Sequence, residues 1–250
     1  MRSTLSSAPA AAVVEVAEVA EVAEAAEAVD VVDDQAWIGA RDEAIASITS
    51  TLTRRIKRAL SDEQNELLAS VGTIKPKQSA IALLPLPEAQ IERYEDLALP
   101  ELADAAAAGA ALMPGGAKAT HTSVGDLASE LASAIVVPLR ERIESAMSEA
   151  AGDKDDLSRL IRATYRDWKG ARVDDEVDSA VRSACNRGML DRLGRGTKIR
   201  WVVAEGDDPS PDCEDNALAG AVVSGKPFPT GHTVPPLHPG CHCAVIPVAD

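Results

Sequence analysis

The sequence predicts a mainly α-helical protein: long amphipathic helices, followed by a small, loop-rich α+β module stapled by zinc at the C-terminal side. Three observations predict it. Apolar residues recur at three- and four-residue steps from about residue 35 to residue 193, the spacing that lines one face of a helix. After Gly196 the pattern changes to short β-branched and aromatic runs separated by Gly and Pro, the composition of strands joined by turns. Three of the four cysteines and a histidine then crowd together as Cys213 and His238-Pro239-Gly240-Cys241-His242-Cys243. Such a set supplies four ligands for a tetrahedral ion.

Four regions follow. Residues 1–34 are low in complexity, with Glu15, Glu18, Glu21, Glu24 and Glu27 at every third position among Val and Ala. A period of three matches neither helix nor strand and leaves no clean apolar face. The reading is a disordered acidic tail, with a helix that docks on a partner as the alternative. Residues 35–123 form a helical region with a Pro-rich linker. Its first helix spans 35–71, where Trp37, Ile38, Ile45, Ile48, Leu52, Ile56, Leu60, Leu67 and Leu68 make the stripe. Gly72 and Pro76 end it. Pro76, Pro85 and Pro87 mark the linker, and a helix over 88–112 is expected to be interrupted by Pro100.

Residues 124–198 carry the next long helices. Leu127, Leu131, Ile135, Leu139, Ile143 and Met147 lie on one stripe, with Pro138 expected to bend it. Asp153, Asp155 and Asp156 suit the positive end of a helix dipole and open a helix that runs to about Leu193. Gly170 interrupts its pattern, and Cys185 falls on its apolar face, as a packing residue does. Residues 199–250 are the Cys/His-rich β and loop module. Strands are expected over 199–204 and 244–248, with loops between them.

The formal net charge of −15 repels nucleic acid and anionic lipid at long range. A local basic cluster, Arg54, Arg55, Lys57 and Arg58, is where any nucleic-acid contact would fall; a solvated face answering nearby carboxylates is the plainer reading. No apolar run is long enough to span a membrane. The first residues lack the apolar stretch of a secretory signal, so a cytoplasmic origin is expected. Of the six aromatic residues, Tyr165, Trp168, Trp201 and Phe228 lie in the C-terminal part, which places the best-packed region there.

The metal ligands expected are Cys213, His238, Cys241 and Cys243, with zinc as the ion. Cys241 and Cys243 are one residue apart, poor geometry for a mutual disulfide, and a bound ion holds thiols deprotonated. Pro239-Gly240 permits a tight reversal that brings His238 and Cys241 to one point. His232 and His242 stand in reserve; His242 should point away if its neighbours point inward. Asp207, Asp208, Asp212, Glu214 and Asp215 flank Cys213. They make an acidic solvent-facing loop or, alternatively, serve a zinc site with an open position that hydrolyses a substrate.

From Trp201 to Val248 the chain resembles the C-terminal part of the phage head morphogenesis family, the minor head proteins of the phage Mu F type. The likeness is carried by Trp201 with Asp207-Asp208, Pro211-Asp212-Cys213, Asn216-Ala217-Leu218-Ala219-Gly220 and Gly225-Lys226-Pro227-Phe228-Pro229. It continues through Pro235-Pro236-Leu237-His238-Pro239-Gly240-Cys241-His242-Cys243 and Ile246-Pro247-Val248. Tyr165-Arg166-Asp167-Trp168 and Asn186-Arg187-Gly188 sit where the family has its long helix. Ser210 replaces a thiol that the family often has, and His242 stands where Arg is common. The resemblance implies a non-enzymatic structural protein that docks on portal or capsid subunits during head assembly, located in the bacterial host cytoplasm or the virion. Self-association through the helices is a further expectation. A domesticated bacterial helical adaptor carrying the same module, and a zinc-dependent hydrolase, are the alternative readings.

Overall fold

The computed structural model describes residues 33–73, 80–113, 122–205 and 209–248. Residues 1–32 of the tail expected over 1–34, His121, and Asp207 and Asp208 lie outside the described residues. Asp33 and Asp34, expected as the end of that tail, instead cap and open the first helix. Within them the protein is mainly helical with a small three-stranded sheet, as its sequence predicts.

Helix α1 (Asp34–Val71) begins at Asp33, whose carboxylate accepts from the backbone N–H of Gln35 and Ala36. That cap satisfies donors the helix itself leaves orphaned. Its stripe of Ile45, Leu52, Ile56, Leu60 and Leu67 is buried. A short 3-10 turn (Ala80–Leu83) precedes α2 (Pro87–Ala111), which opens with a proline at a position where no N–H is needed. The helix runs through Pro100 without a break, against the expected interruption. Leu99 and Pro100 lie on the exposed side, where the carbonyl that proline leaves unpaired can be hydrated. Helix α3 (Gly125–Ala150) likewise continues through Pro138 and stops at Ala151, which takes a left-handed φ of 47°.

The single helix expected from 153 to 193 is two helices. Asp153 caps α4 (Lys154–Asp167) by accepting from the N–H of Asp155 and Asp156. A π turn over Trp168–Arg172 follows, and α5 (Val173–Leu193) resumes after it. Gly170 leaves helical geometry with ψ of −148°. The interruption in the apolar pattern is therefore a break in the backbone, and Arg172 lies 4.1 Å over the Trp168 ring beside it.

One core joins these helices, with Tyr94, Leu102, Ile135, Leu139, Ile161, Tyr165, Val177, Val181 and Cys185 buried in it. Helices α2 and α5 approach so closely that a Cβ at Gly109 would sit 1.9 Å from the Cys185 carbonyl oxygen, and one at Gly188 would sit 1.9 Å from that of Ala106. Glu63 is buried on the apolar face of α1, accepting from Tyr165 Oη at 2.7 Å and Gln90 Nε2 at 2.8 Å. Burial raises its pKa above the ordinary carboxylate value, against the lowering effect of those hydrogen bonds.

After Gly194 the chain forms β1 (Lys198–Val202), α6 (Pro211–Leu218), β2 (Ala221–Val223) and β3 (Ala244–Pro247). The sheet order is β2-β1-β3 and both pairings are antiparallel; Trp201 stands opposite Val245, and Arg200 is opposite Ala221 on one side and Ile246 on the other. Strand side chains alternate between faces, and this alternation divides the module. Ile199, Trp201 and Val245 pack with Cys213, Phe228, Cys241 and Cys243. Val202, Ala244 and Ile246 pack on Ile38 and Trp37 of α1. On that second face Arg200 forms a two-bonded ion pair with Asp34, and Gln35 donates to the Val203 carbonyl at 3.2 Å. The sheet is thus held against the start of α1.

Candidate metal centre

The Cys213 thiol is placed by a helix start. Ser210 caps α6, accepting from the Cys213 N–H at 3.3 Å, and Pro211 takes the first helical position. The same hydroxyl donates to Cys213 Sγ at 3.3 Å. Ser210 therefore both starts the helix and touches the sulfur.

Cys241 is placed by a turn. Its N–H donates to the His238 carbonyl at 3.1 Å, and Gly240 takes φ of 79°. Proline second and a positive-φ glycine third is the residue order of a type II turn. The turn fixes His238 and Cys241 at its first and fourth positions, so their side chains emerge close together. Cys243 follows one pleat later and precedes β3, which brings it back to the same side of the chain as Cys241.

The result is a buried cluster: the sulfurs of Cys213, Cys241 and Cys243 all lie within 4.8 Å of one another. Cys213 Sγ is 3.8 Å from Cys241 Sγ. His238 brings Nε2 to 3.7 Å from Cys213 Sγ, beside the cluster rather than within the mutually close set. Its Nδ1 is 3.0 Å from the Pro239 carbonyl. A carbonyl only accepts, so Nδ1 carries the hydrogen, and in a neutral imidazole Nε2 then keeps a free lone pair facing the sulfur. This is how an imidazole is prepared to ligate.

The other candidates face elsewhere. His242 points out toward Asp178, 3.9 Å away, and His232 Nδ1 is 3.1 Å from Thr230 Oγ1. Cys185 is buried in the helical core, where burial pushes its thiol up to about 11. Asp212, Glu214 and Asp215 are exposed as expected, but on helix α6 rather than in a loop.

Thiol electrostatics follow from the packing. Burial raises the pKa of Cys213, partly offset by the Ser210 hydroxyl. Cys241 is lowered, chiefly by a hydrogen bond from Cys243, while Cys243 is raised by giving that bond and by burial. The buried Trp201 N–H has no hydrogen-bonded partner of good geometry and favours the ionised form of Cys243. Its ring meets Phe228 edge to face at 5.2 Å. Three buried thiols sharing protons in this way are a soft ligand set and can hold a metal ion.

Two supports were not foreseen from the sequence. Arg41, fully buried on α1, donates from one guanidinium nitrogen to the Cys243 carbonyl at 2.6 Å and from the other to the His242 carbonyl at 2.8 Å. Its charge is answered by Asp42, which also accepts from Arg182 of α5 at 2.6 Å. Asn186 of α5 donates to the Pro235 carbonyl at 2.9 Å, at the other end of the ligand loop. Both residues sit at helical spacing on apolar faces, and a polar group there was the available signal.

The basic cluster is largely answered within the fold. Arg55 pairs with Glu101 at 2.7 Å and Lys57 with Asp174 at 2.6 Å, while Arg54 bonds the Ser50 carbonyl at 3.2 Å. No helix among the described residues is long and apolar enough to cross a membrane. No protein-family model matches this chain, and no curated protein and no solved structure matches it either.

Proposed function

We propose that this chain is a non-enzymatic minor head component of the phage head morphogenesis type. In this reading a structural zinc ion, held by Cys213, His238, Cys241 and Cys243, staples the terminal module, and the helices dock on portal or capsid subunits. The observation that carries the zinc assignment is the spacing of the ligand atoms. Zinc–sulfur bonds of about 2.3 Å and zinc–nitrogen bonds of about 2.0 Å make tetrahedral edges of about 3.8 Å between sulfurs and about 3.5 Å between sulfur and nitrogen. The Cys213–Cys241 and Cys213–His238 separations of 3.8 and 3.7 Å agree with those edges. Closing the shell requires His238 to swing toward the other two thiols. Four protein ligands leave no open position, which favours a structural over a hydrolytic ion.

The family reading rests on the resemblance, whose residues fall at places the module needs. Pro211-Asp212-Cys213 opens α6. Asn216 ties α6 to the next loop through Thr230, donating to its hydroxyl at 2.9 Å and accepting from its N–H at 3.2 Å. Phe228 fills the core beneath Trp201, and Ile246-Pro247 pairs with β1. A rigid knob on long helices suits a protein that presents helical faces to larger assemblies.

Elemental analysis of protein purified without chelator is expected to give about one zinc per chain. The role itself is tested by co-expression with portal and major capsid proteins from the same genome. The chain is expected to sediment with assembled particles at a few copies each. Particles that assemble normally while the chain stays wholly unbound refute the assembly role.

A further inference from the structure

We propose that Cys213 and Cys241 are an oxidation-sensitive pair, joined into a disulfide by a small hydroperoxide, and that their joining expels the metal from the centre. The metal half rests on the zinc reading above; the disulfide half does not.

Geometry selects the pair. Their sulfurs are 3.8 Å apart, already in contact and about 1.8 Å from an S–S bond length of about 2.0 Å. Cys213 lies on α6 and Cys241 on the turn, far apart in sequence, which avoids the small strained ring a Cys241–Cys243 link would need. Arg41 holds the Cys243 backbone through its carbonyl. The thiols are buried, but the ligand loop is not sealed. A cleft of about 690 Å³ lined by Gly240 and His242, and another of about 230 Å³ lined by His238 and Pro239, flank the loop on either side of Cys241; no thiol lines either, so the last step inward takes a local opening of the loop. A hydroperoxide is small enough to enter either.

The chemistry balances in two steps. One sulfur attacks the peroxide: a sulfur–oxygen bond forms, the oxygen–oxygen bond breaks, and water or an alcohol leaves, its proton coming from the thiol or, where the metal holds a thiolate, from solvent. The second sulfur then attacks the first; the disulfide forms, the sulfur–oxygen bond breaks, and the departing hydroxide leaves as water, with a proton from the second thiol or, where the metal held it as thiolate, from solvent. Two thiols lose two electrons and one hydroperoxide gains them. His238 and Cys243 remain as ligands, and two ligands hold zinc far less tightly than four.

The test uses the full-length, reduced, metal-loaded protein. Hydrogen peroxide is titrated in with a colorimetric zinc indicator, free thiols are counted after denaturation, and peptides are mapped without reduction. Thiols are expected to fall from four to about two per chain. Zinc should be released in step, a peptide linked through Cys213 and Cys241 should appear, and dithiothreitol should restore zinc uptake. Cys185→Ser, which lies away from the centre, should lower the thiol count alone. The proposal is overturned by zinc release with sulfinic or sulfonic acids and no link, by a dominant Cys241–Cys243 link, by zinc retained after the pair is joined, or by thiols that do not react. If the reduced protein carries no zinc, the zinc reading has failed, and the peptide map alone decides the disulfide.

Discussion

Gly188→Ala tests how closely α2 and α5 are required to meet. A Cβ at this position would lie 1.9 Å from the Ala106 carbonyl oxygen and 2.6 Å from its carbon. Both are backbone atoms, so no side chain can swing aside. Reaching even the tight limit of 3.0 Å requires a separation of 3.0 minus 1.9, or 1.1 Å. A gap of that size forfeits roughly a quarter to a half of the dispersion energy of each contact it opens. Ala105, Ala106, Ala184, Cys185 and Met189 along this seam are all buried. Overpacking of this kind costs about 3 kcal/mol, the upper end for cores. Alanine returns about 1 kcal/mol through better helix propensity, so the net loss is about 2 kcal/mol. For a protein of this size that lowers Tm by about 4–8 °C. Urea titration followed by circular dichroism measures it. Gly109→Ala meets the Cys185 carbonyl in the same seam, so the double variant should cost less than the sum of the two, because one separation relieves both clashes. A neutral or stabilising Gly188→Ala, or strict additivity of the pair, refutes this reasoning.

Cys241→Ser should abolish stoichiometric zinc and raise amide exchange in 211–243, while the α2–α5 seam keeps its protection; elemental analysis and exchange mass spectrometry check both. Arg41→Met strips the Cys243 and His242 carbonyls of their donor and leaves Asp42 half-answered, at a cost of about 3 kcal/mol by urea titration. Arg41→Lys should recover only part, since one ammonium cannot bridge both carbonyls in the same fork. Glu63 has a folded pKa raised above its ordinary value, so it binds its proton more tightly folded than unfolded. Its ionisation therefore costs nothing below the ordinary carboxylate pKa and erodes stability as pH rises from there through the raised value. Urea midpoints from pH 4 upward should fall for wild type relative to Glu63→Gln, and parallel curves would contradict this.

The long helices were legible because their apolar stripes are long and regular. Their breaks were harder to place. Pro100 reads as an interruption, yet a proline on an exposed face leaves its helix continuous, whereas Gly170 gives way where no proline stands. Helix α6 and strand β2 were missed: eight and three residues give too short a window for periodicity. The Ser210-Pro211 pair before α6 was a readable start signal all the same. The thiols of the centre stood out by density, but their support did not. Arg41 falls between Ile38 and Ile45, and Glu63 between Leu60 and Leu67, at the spacing of buried residues. A charged group on such a stripe must find a partner elsewhere in the chain, and the sequence does not say which.

Helix α1 has 38 residues, so it reaches about 57 Å at 1.5 Å per residue. Its first turns hold the sheet and the ligand loop through Asp34, Gln35 and Arg41, and its later turns are threaded through the helical core. It is a single rod serving two bodies. Tension applied at its leading end would load the Arg200 and Arg41 contacts in shear first, before any apolar side chain leaves the bundle. A pulled molecule should therefore yield at the sheet, with the helical core giving way at higher force.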